Sequence, residues 1–417
     1  MTQFVRLPQM AWNTPREISL SFPGEWQIEV YNMAGYDRRA MTRVEIKKVL
    51  ENTIGTAPIK ELARGKKEVA IIFDDMSRIT NVKQIVPFIL KDLEEAGVTE
   101  DKIRFFAALG AHGALNRTDF VKKLGDKIVR RFPVYNHNPF GKCEYVGTTQ
   151  FGTRVLLNAE IMKCDLKIGI GSIVPHPMAG FGGGSKIIIP GIASIETIEA
   201  FHRLMRKIAK ENPDKPVTGM GVYDNNPQHL NIEEAGTFAG LFVKIDCIVN
   251  AWGQTTALYA GVPRLEHAAG ASFAKGHYLT QRAENKDIVI ANAFAKVNEF
   301  EIVLDAARPA VSSKGGDIVI CCDVPGGHAT HYVLGPFGPD DMMTGHDLRL
   351  RAGLPPNINN LIIYSRYPDI ASRGYFKEEN KVLFMSRWED VLLHLQNKYP
   401  GDAKVAVFPN ADIQYFN

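Results

Sequence analysis

The chain has 417 residues, more than one hydrophobic core usually supports, so two domains are the first expectation. Its 45% apolar and 23% charged residues are those of an ordinary globular protein, and a net charge of +3 implies no polyanionic partner. No basic block with interleaved aromatics suits a nucleic acid, no apolar run approaches a membrane span, and the start MTQFVRLPQMAWNTPRE lacks a secretory layout.

In chain order, the first clear strand is VAIIFDD (69–75), an apolar run ending in acid. The spacing of Ile85, Phe88, Ile89, Leu93 and Ala96 predicts a helix over about 82–96. A strand IRFFAALG (103–110), a helix near 117–124 and short extended pieces around 132–135 and 153–157 follow, before the strand LKIGIGSIV (166–174). Asp74, Asp75, His112 and His176 each fall just after a predicted strand. In open parallel sheets ligands sit at the carboxyl ends of strands, so three such placements in succession point to a site. Ser194 can cap a helix over roughly 195–209, on which Ile195, Ile198, His202 and Met205 share the inward face. Asn226-Pro227 has the cap-then-proline signature of another helix start.

A second alternation begins after about residue 270, with strands 287–293, 317–324, 360–366, 381–386 and 404–409 and a helix over 388–399. The fold class is therefore α/β: two α/β domains with mostly parallel sheets, divided as 1–270 and 271–417. Cys143, Cys164, Cys247, Cys321 and Cys322 are odd in number and form no C-x-x-C pair, which argues against a disulfide framework or thiolate zinc site and fits a reducing cytoplasm.

The stretch HPMAGFGGGSKIIIPG (176–191) joins a histidine, a glycine run and Lys186. A phosphate-binding P-loop fails here, because Ser185 stands where its last glycine belongs and Ile187 where its metal-binding hydroxyl belongs. The following IIIPGI favours a short extended piece stopped by proline, not the helix a P-loop needs. A Schiff-base lysine for pyridoxal phosphate is a second reading of Lys186, and a solvated lysine after a tight turn is the plain one. HATH (328–331) offers two histidines at i,i+3 in a predicted loop, with no third ligand evident. His137, His229, His267, His277, His346 and His394 read as surface or structural.

Taken together, DDMSR (74–78), LGAH (109–112), GSIVPHPMAGFGGGSKIIIPGIAS (171–194) and His202 resemble the lactate racemases that depend on a nickel-pincer nucleotide. The likeness runs evenly from about residue 50 to 235 and more weakly to about 330. It implies an isomerase that inverts C2 of a 2-hydroxy acid, with the nickel complex of a pyridinium-3,5-bisthiocarboxylic acid mononucleotide as cofactor. Lys186 would be its covalent anchor, His202 the protein's nickel ligand, and His112 and His176 the catalytic acid/base pair. Asp75 and Ser77 would lie by the cofactor and Arg78 by the substrate. Enzymes that build the cofactor would be partners. The active site would lie in the cleft between the domains, the second closing over the substrate.

Elementary chemistry is compatible with these roles. Soft sulfur donors with one imidazole suit nickel(II). Imidazole titrates near neutrality, which suits a base on either side of the substrate, and a guanidinium can hold a carboxylate with two parallel hydrogen bonds. Backbone N–H groups of Gly182, Gly183 and Gly184 could cradle a phosphate, or the glycines could serve conformation alone.

Three features depart from the family pattern. Ser185 precedes the lysine where a basic residue is common, and Gly113 follows the first histidine where arginine is common. In FAKVNEFEIVLDAA (294–307), a glutamine and a lysine that hold the substrate carboxylate give way to Asn298, Glu299 and Glu301, with Lys296 the only basic residue. The substrate expected is thus not lactate but a polyhydroxylated acid such as gluconate, touched by Asn298 and Glu299. The competing readings are a pyridoxal-phosphate enzyme using Lys186 and a non-catalytic binder of sugar acids.

Overall fold

The computed structural model describes residues 2–212, 217–240, 243–334 and 351–416. His346 and the side chain of Met205 lie outside the described residues. The chain forms two units, one of Asp37–Gly276 and one of Met1–Tyr36 with His277–Asn417.

The Asp37–Gly276 unit is built on a six-stranded sheet in the order Thr255–Gly261, Val243–Val249, Leu166–Ser172, Val69–Asp74, Ile103–Ala108, Val134–Asn136. All neighbours are parallel except the first pair. The strands Val69–Asp74, Leu166–Ser172 and Val243–Val249 are buried along their whole length, as strands covered on both faces must be. The helix Val82–Glu95 turns Val82, Ile85, Val86, Ile89 and Leu93 into this core, and burying each such side chain is worth roughly 1.5–3 kcal/mol. Asn116 and Asp119 close a reciprocal capping box that starts the helix Arg117–Leu124. Parallel order brings the carboxyl ends of Val69–Asp74, Ile103–Ala108 and Leu166–Ser172 side by side, which places Asp74, His112 and the loop after Ser172 at one edge.

That loop differs from the extended piece its isoleucines suggested. A 3₁₀ turn, Gly184–Ile187, follows the glycines, and Ile187, Ile188, Ile189 and Ile192 are all buried. A strand would send consecutive side chains to opposite faces, whereas a turn can direct three adjacent isoleucines into apolar surroundings.

The other unit holds a wholly parallel six-stranded sheet in the order Val382–Met385, Ile358–Tyr364, Gly316–Cys321, Ile288–Asn292, Lys404–Phe408, Gln27–Val30. Its last strand comes from the start of the chain, and so does the hairpin Gln3–Gln9 with Arg16–Phe22. Division by chain order alone had placed residues 1–36 with the N-terminal domain; they belong here instead. The cause is packing: Val5, Leu7, Leu20, Phe22 and Trp26 share a core with Ile288, Ile290, Val319 and Trp388. Trp388 donates its indole N–H to the Ser21 carbonyl at 2.8 Å, and Gln9 accepts from the Asp323 backbone at 2.6 Å. The join with the larger unit falls at 276/277.

Candidate functional site

The strand Val69–Asp74 ends in a tight turn made of its own polar side chains. Asp75 Oδ1 accepts from the Ser77 backbone at 2.9 Å and from the Ser77 hydroxyl at 2.5 Å. Ser77 in turn accepts from Arg78 Nη1, at 2.8 Å through the hydroxyl and 2.7 Å through the carbonyl, which aims the guanidinium. Below the turn, Lys123 donates to Asp74 Oδ1 at 2.7 Å and to the Arg78 carbonyl at 2.6 Å, and the Thr80 hydroxyl donates to Asp74. Burial pushes the Asp74 carboxyl up and the Lys123 amine down, and their mutual attraction opposes both shifts. Asp74 therefore fixes the turn.

Asp75 also reaches across to the next strand end, where the His112 Nδ1–H donates to its Oδ2 at 2.5 Å. Burial alone would raise the Asp75 carboxyl. The His112 ring, the Arg78 guanidinium and the Ser77 hydrogen bonds outweigh it and hold the group below its ordinary value. An ionised carboxylate on Nδ1 fixes the tautomer that presents the Nε2 lone pair, the arrangement of a carboxylate–histidine base.

His176 is held differently. It pairs with Gly180 in a two-residue hairpin, and its Nδ1 accepts the backbone N–H groups of Met178 and Ala179 at 3.2 and 3.1 Å. An accepting Nδ1 leaves the ring hydrogen on Nε2, so the neutral ring presents a donor. The two histidines thus carry opposite tautomers. Gly180 has φ +78, and a Cβ there would lie 2.1 Å from the Val222 carbonyl, which is why the hairpin needs glycine.

Lys186 is half-buried and lines one cleft with Asp74, Asp75, Ser77, Arg78, His112, Gly183 and Lys244. His176 and His202 are not among the residues lining that cleft. The glycine run is shaped by what lies behind it. The Gly182 N–H donates to the Val174 carbonyl at 2.8 Å and the Gly184 N–H to Asp246 Oδ2 at 2.6 Å. Both groups are engaged within the protein, which favours the conformational alternative over a phosphate cradle made by Gly182 and Gly184 in this arrangement. Gly183 and Gly184 have φ +88 and +54, and a Cβ would meet Asp246 at 2.8 Å and the His267 ring at 2.7 Å.

His202 lies buried on Ile195–Glu211, the helix that Ser194 caps, and its Nδ1–H donates to the Ile198 carbonyl at 2.7 Å. That bond leaves Nε2 as the ring's ligand atom, the usual preparation of a metal-binding histidine.

In the other unit, Asn298 and Glu299 are half-buried on the segment Val297–Val303, which kinks at Glu299. The Asn298 carbonyl accepts from the Ala329 N–H at 2.7 Å. Glu301 is committed to His328: His328 Nε2–H donates to it at 2.5 Å, while Nδ1–H donates to the Ala329 carbonyl at 2.9 Å. Burial would lower His328, but Glu301 outweighs it and holds the ring above its ordinary value. With both nitrogens donating, His328 is an imidazolium, so the HATH segment is no metal pair.

Sequence reasoning missed the buried charges Lys123, Lys244, Asp246 and Glu266. A local signal existed for one pair. In VKIDCIV (243–249), Val243, Ile245 and Cys247 alternate with Lys244 and Asp246, placing both charges on one face of a buried strand. There Lys244 pairs with Asp246, and Asp246 holds the glycine loop. His229 and His267, read as surface or structural, are both buried.

Residues 14–213 match the family model of the lactate racemase N-terminal domain. The chain is 29% identical over 289 residues to the lactate racemase of Thermoanaerobacterium thermosaccharolyticum, spanning 68% of this chain and 66% of that protein. It is 28% identical over 305 residues to the lactate racemase of Lactiplantibacillus plantarum, spanning 72% and 70%. The matches thus cover about two thirds of these curated relatives' length. The solved lactate racemase apoprotein from T. thermosaccharolyticum superposes over the whole of both chains with a TM-score of 0.72 at 21% identity. A Thermotoga maritima protein superposes over 91% of this chain and 99% of its own, with a TM-score of 0.66 at 18% identity. At these identities the structural likeness establishes the α/β fold.

Proposed function

We propose that the chain is a member of the lactate racemase family, whose N-terminal-domain model its residues 14–213 match, and that it is an isomerase inverting C2 of a 2-hydroxy acid. The observation that carries the reading is the Asp75–His112 pair facing a cleft that also holds Arg78 and Lys186. Inversion requires removal of the hydroxyl proton and of the C2 hydrogen as hydride, giving a 2-keto acid, followed by return of both to the opposite face.

Each residue has a task on this reading. Arg78, aimed by Ser77, binds the substrate carboxylate. His112 takes the hydroxyl proton at Nε2, and the Asp75 carboxylate stabilises the imidazolium that results. His176 does not line this cleft; once brought to the same oxygen it would present Nε2–H as charge develops there, and would take the base role for the other hand by releasing the Met178 and Ala179 N–H groups.

The residues present also fit a nickel-pincer nucleotide. The Lys186 amine borders the cleft as the covalent anchor, and His202 has the tautomer a nickel ligand needs. When bound, the group supplies a pyridinium carbon that accepts the hydride from C2 and returns it. Asp75 and Ser77 frame the same cleft. The Gly182 and Gly184 N–H groups are already donated, so neither this nucleotide's phosphate nor that of pyridoxal phosphate gains support from them, and they do not separate the two cofactors.

For the substrate we propose a polyhydroxylated acid such as gluconate. The support is that Asn298 and Glu299 stand in the second unit where the family has a glutamine and a lysine; Glu301, committed to His328, drops out of that argument. A chiral product assay with D-gluconate and D-lactate on cofactor-loaded enzyme tests this. Epimerisation of gluconate supports it, and turnover of lactate alone overturns it.

A further inference from the structure

Behind the glycine loop, three ligand-type side chains converge outside the site described above. His229 and Glu233 stand one turn apart on the helix Pro227–Ala239, and His267 comes from the helix Pro263–His277. A ligand atom from each lies within 4.8 Å of the other two. We propose that His229, Glu233 and His267 bind a divalent transition-metal ion, of the zinc type, that braces the loop carrying Lys186.

Three observations support a built site. His229 and Glu233 at i,i+4 share one helix face, the spacing by which a single helix offers two ligands to one ion. The Nε2–H of His267 donates to the Gly182 carbonyl at 2.8 Å, which fixes the tautomer and leaves Nδ1 as the ligand atom, 3.9 Å from Glu233 Oε1. Glu233 Oε1 is buried with no hydrogen-bond partner, a costly state that a cation would relieve.

Two imidazoles and a carboxylate are a common three-ligand set for zinc, with a fourth position left over. Ligands on one zinc at about 2.1 Å lie roughly 3.4 Å apart, so the three atoms must draw together by up to about 1.4 Å, which rotation of the Glu233 carboxylate and the His229 ring can supply. Tyr223 sits over the cluster, its ring centroid 4.1 Å from that of His229 and its hydroxyl 3.4 Å from His267 Nδ1. Because His267 holds the Gly182 carbonyl and packs where a Gly184 Cβ would stand, an ion bound here would stiffen the loop. Nothing in this inference depends on whether Lys186 carries a cofactor.

The test uses full-length protein from a host without cofactor-building enzymes, stripped with chelator and titrated with Co²⁺. Expected are one equivalent bound with visible d–d absorption, loss of that absorption on adding Zn²⁺, and a higher melting temperature with zinc than with chelator. Glu233→Gln and His229→Asn should each bind at least tenfold more weakly, while His202→Ala keeps the spectrum. No stoichiometric binding to the unmutated protein overturns the proposal, and so does a spectrum that survives both cluster substitutions or disappears in His202→Ala.

Discussion

His112 Nδ1 and Asp75 Oδ2 lie 2.5 Å apart, joining the ends of two adjacent parallel strands through one hydrogen bond. The bond makes His112 a base of defined tautomer, and the same carboxylate reaches Arg78 through Ser77.

Replacing Asp75 by Asn keeps the size of the side chain and removes the charge that stabilises a protonated His112. The expected result is a fall in kcat of about 10²–10⁴-fold with a smaller change in KM. Steady-state kinetics on cofactor-loaded enzyme measures it. An unchanged kcat would remove the dyad from the mechanism.

His202 and Lys186 are assigned separable tasks, so their variants should fail in different ways. His202→Ala is expected to keep the mass adduct on Lys186 and to lose most of its nickel. Lys186→Arg is expected to lose both. Peptide mass spectrometry and elemental analysis of the same preparations distinguish the cases.

The three glycines before Ser185 should respond unequally to alanine. At Gly184 a Cβ meets the His267 ring at 2.7 Å with φ +54, while at Gly182 nothing lies closer than 3.5 Å. Gly184→Ala should cost about 1–3 kcal/mol and Gly182→Ala well under 1. Urea denaturation of the two variants gives the comparison. Equal losses would contradict the packing described for the loop.

His328 and Glu301 give the second unit a pH dependence whose sign follows from the shift. The folded His328 pKa is raised, so the stability it contributes is complete below the unfolded value of about 6.5 and is lost as pH rises through the folded value. Glu301→Gln should therefore destabilise by about 2 kcal/mol at pH 6, and the difference should shrink toward pH 9. Thermal melts of both proteins at the two pH values test it.

Much of this site was legible because its parts follow apolar runs. VAIIFDD ends in acid, IRFFAALG and LKIGIGSIV are each followed two residues later by a histidine, and parallel pairing brings those ends together. The helix starts at Ser194 and Asn226 were marked by their caps. The placement of residues 1–36 was not legible. Alternation in a hairpin declares one buried face without saying which sheet covers it. Nor could Lys123 be told from Lys122, since adjacent lysines on a helix differ only in direction; the side chain of one is fully buried and that of the other 28% exposed. His267 joins His229 and Glu233 only through the packing of two helices, which no local pattern encodes.

The most direct measurement is the mass of the proteolytic peptide containing Lys186, taken from protein made in a host that builds the nickel-pincer nucleotide. That peptide is expected to carry the mass of the nucleotide, and the Lys186→Arg protein to carry none. An unmodified Lys186 in catalytically active protein from that host would contradict it.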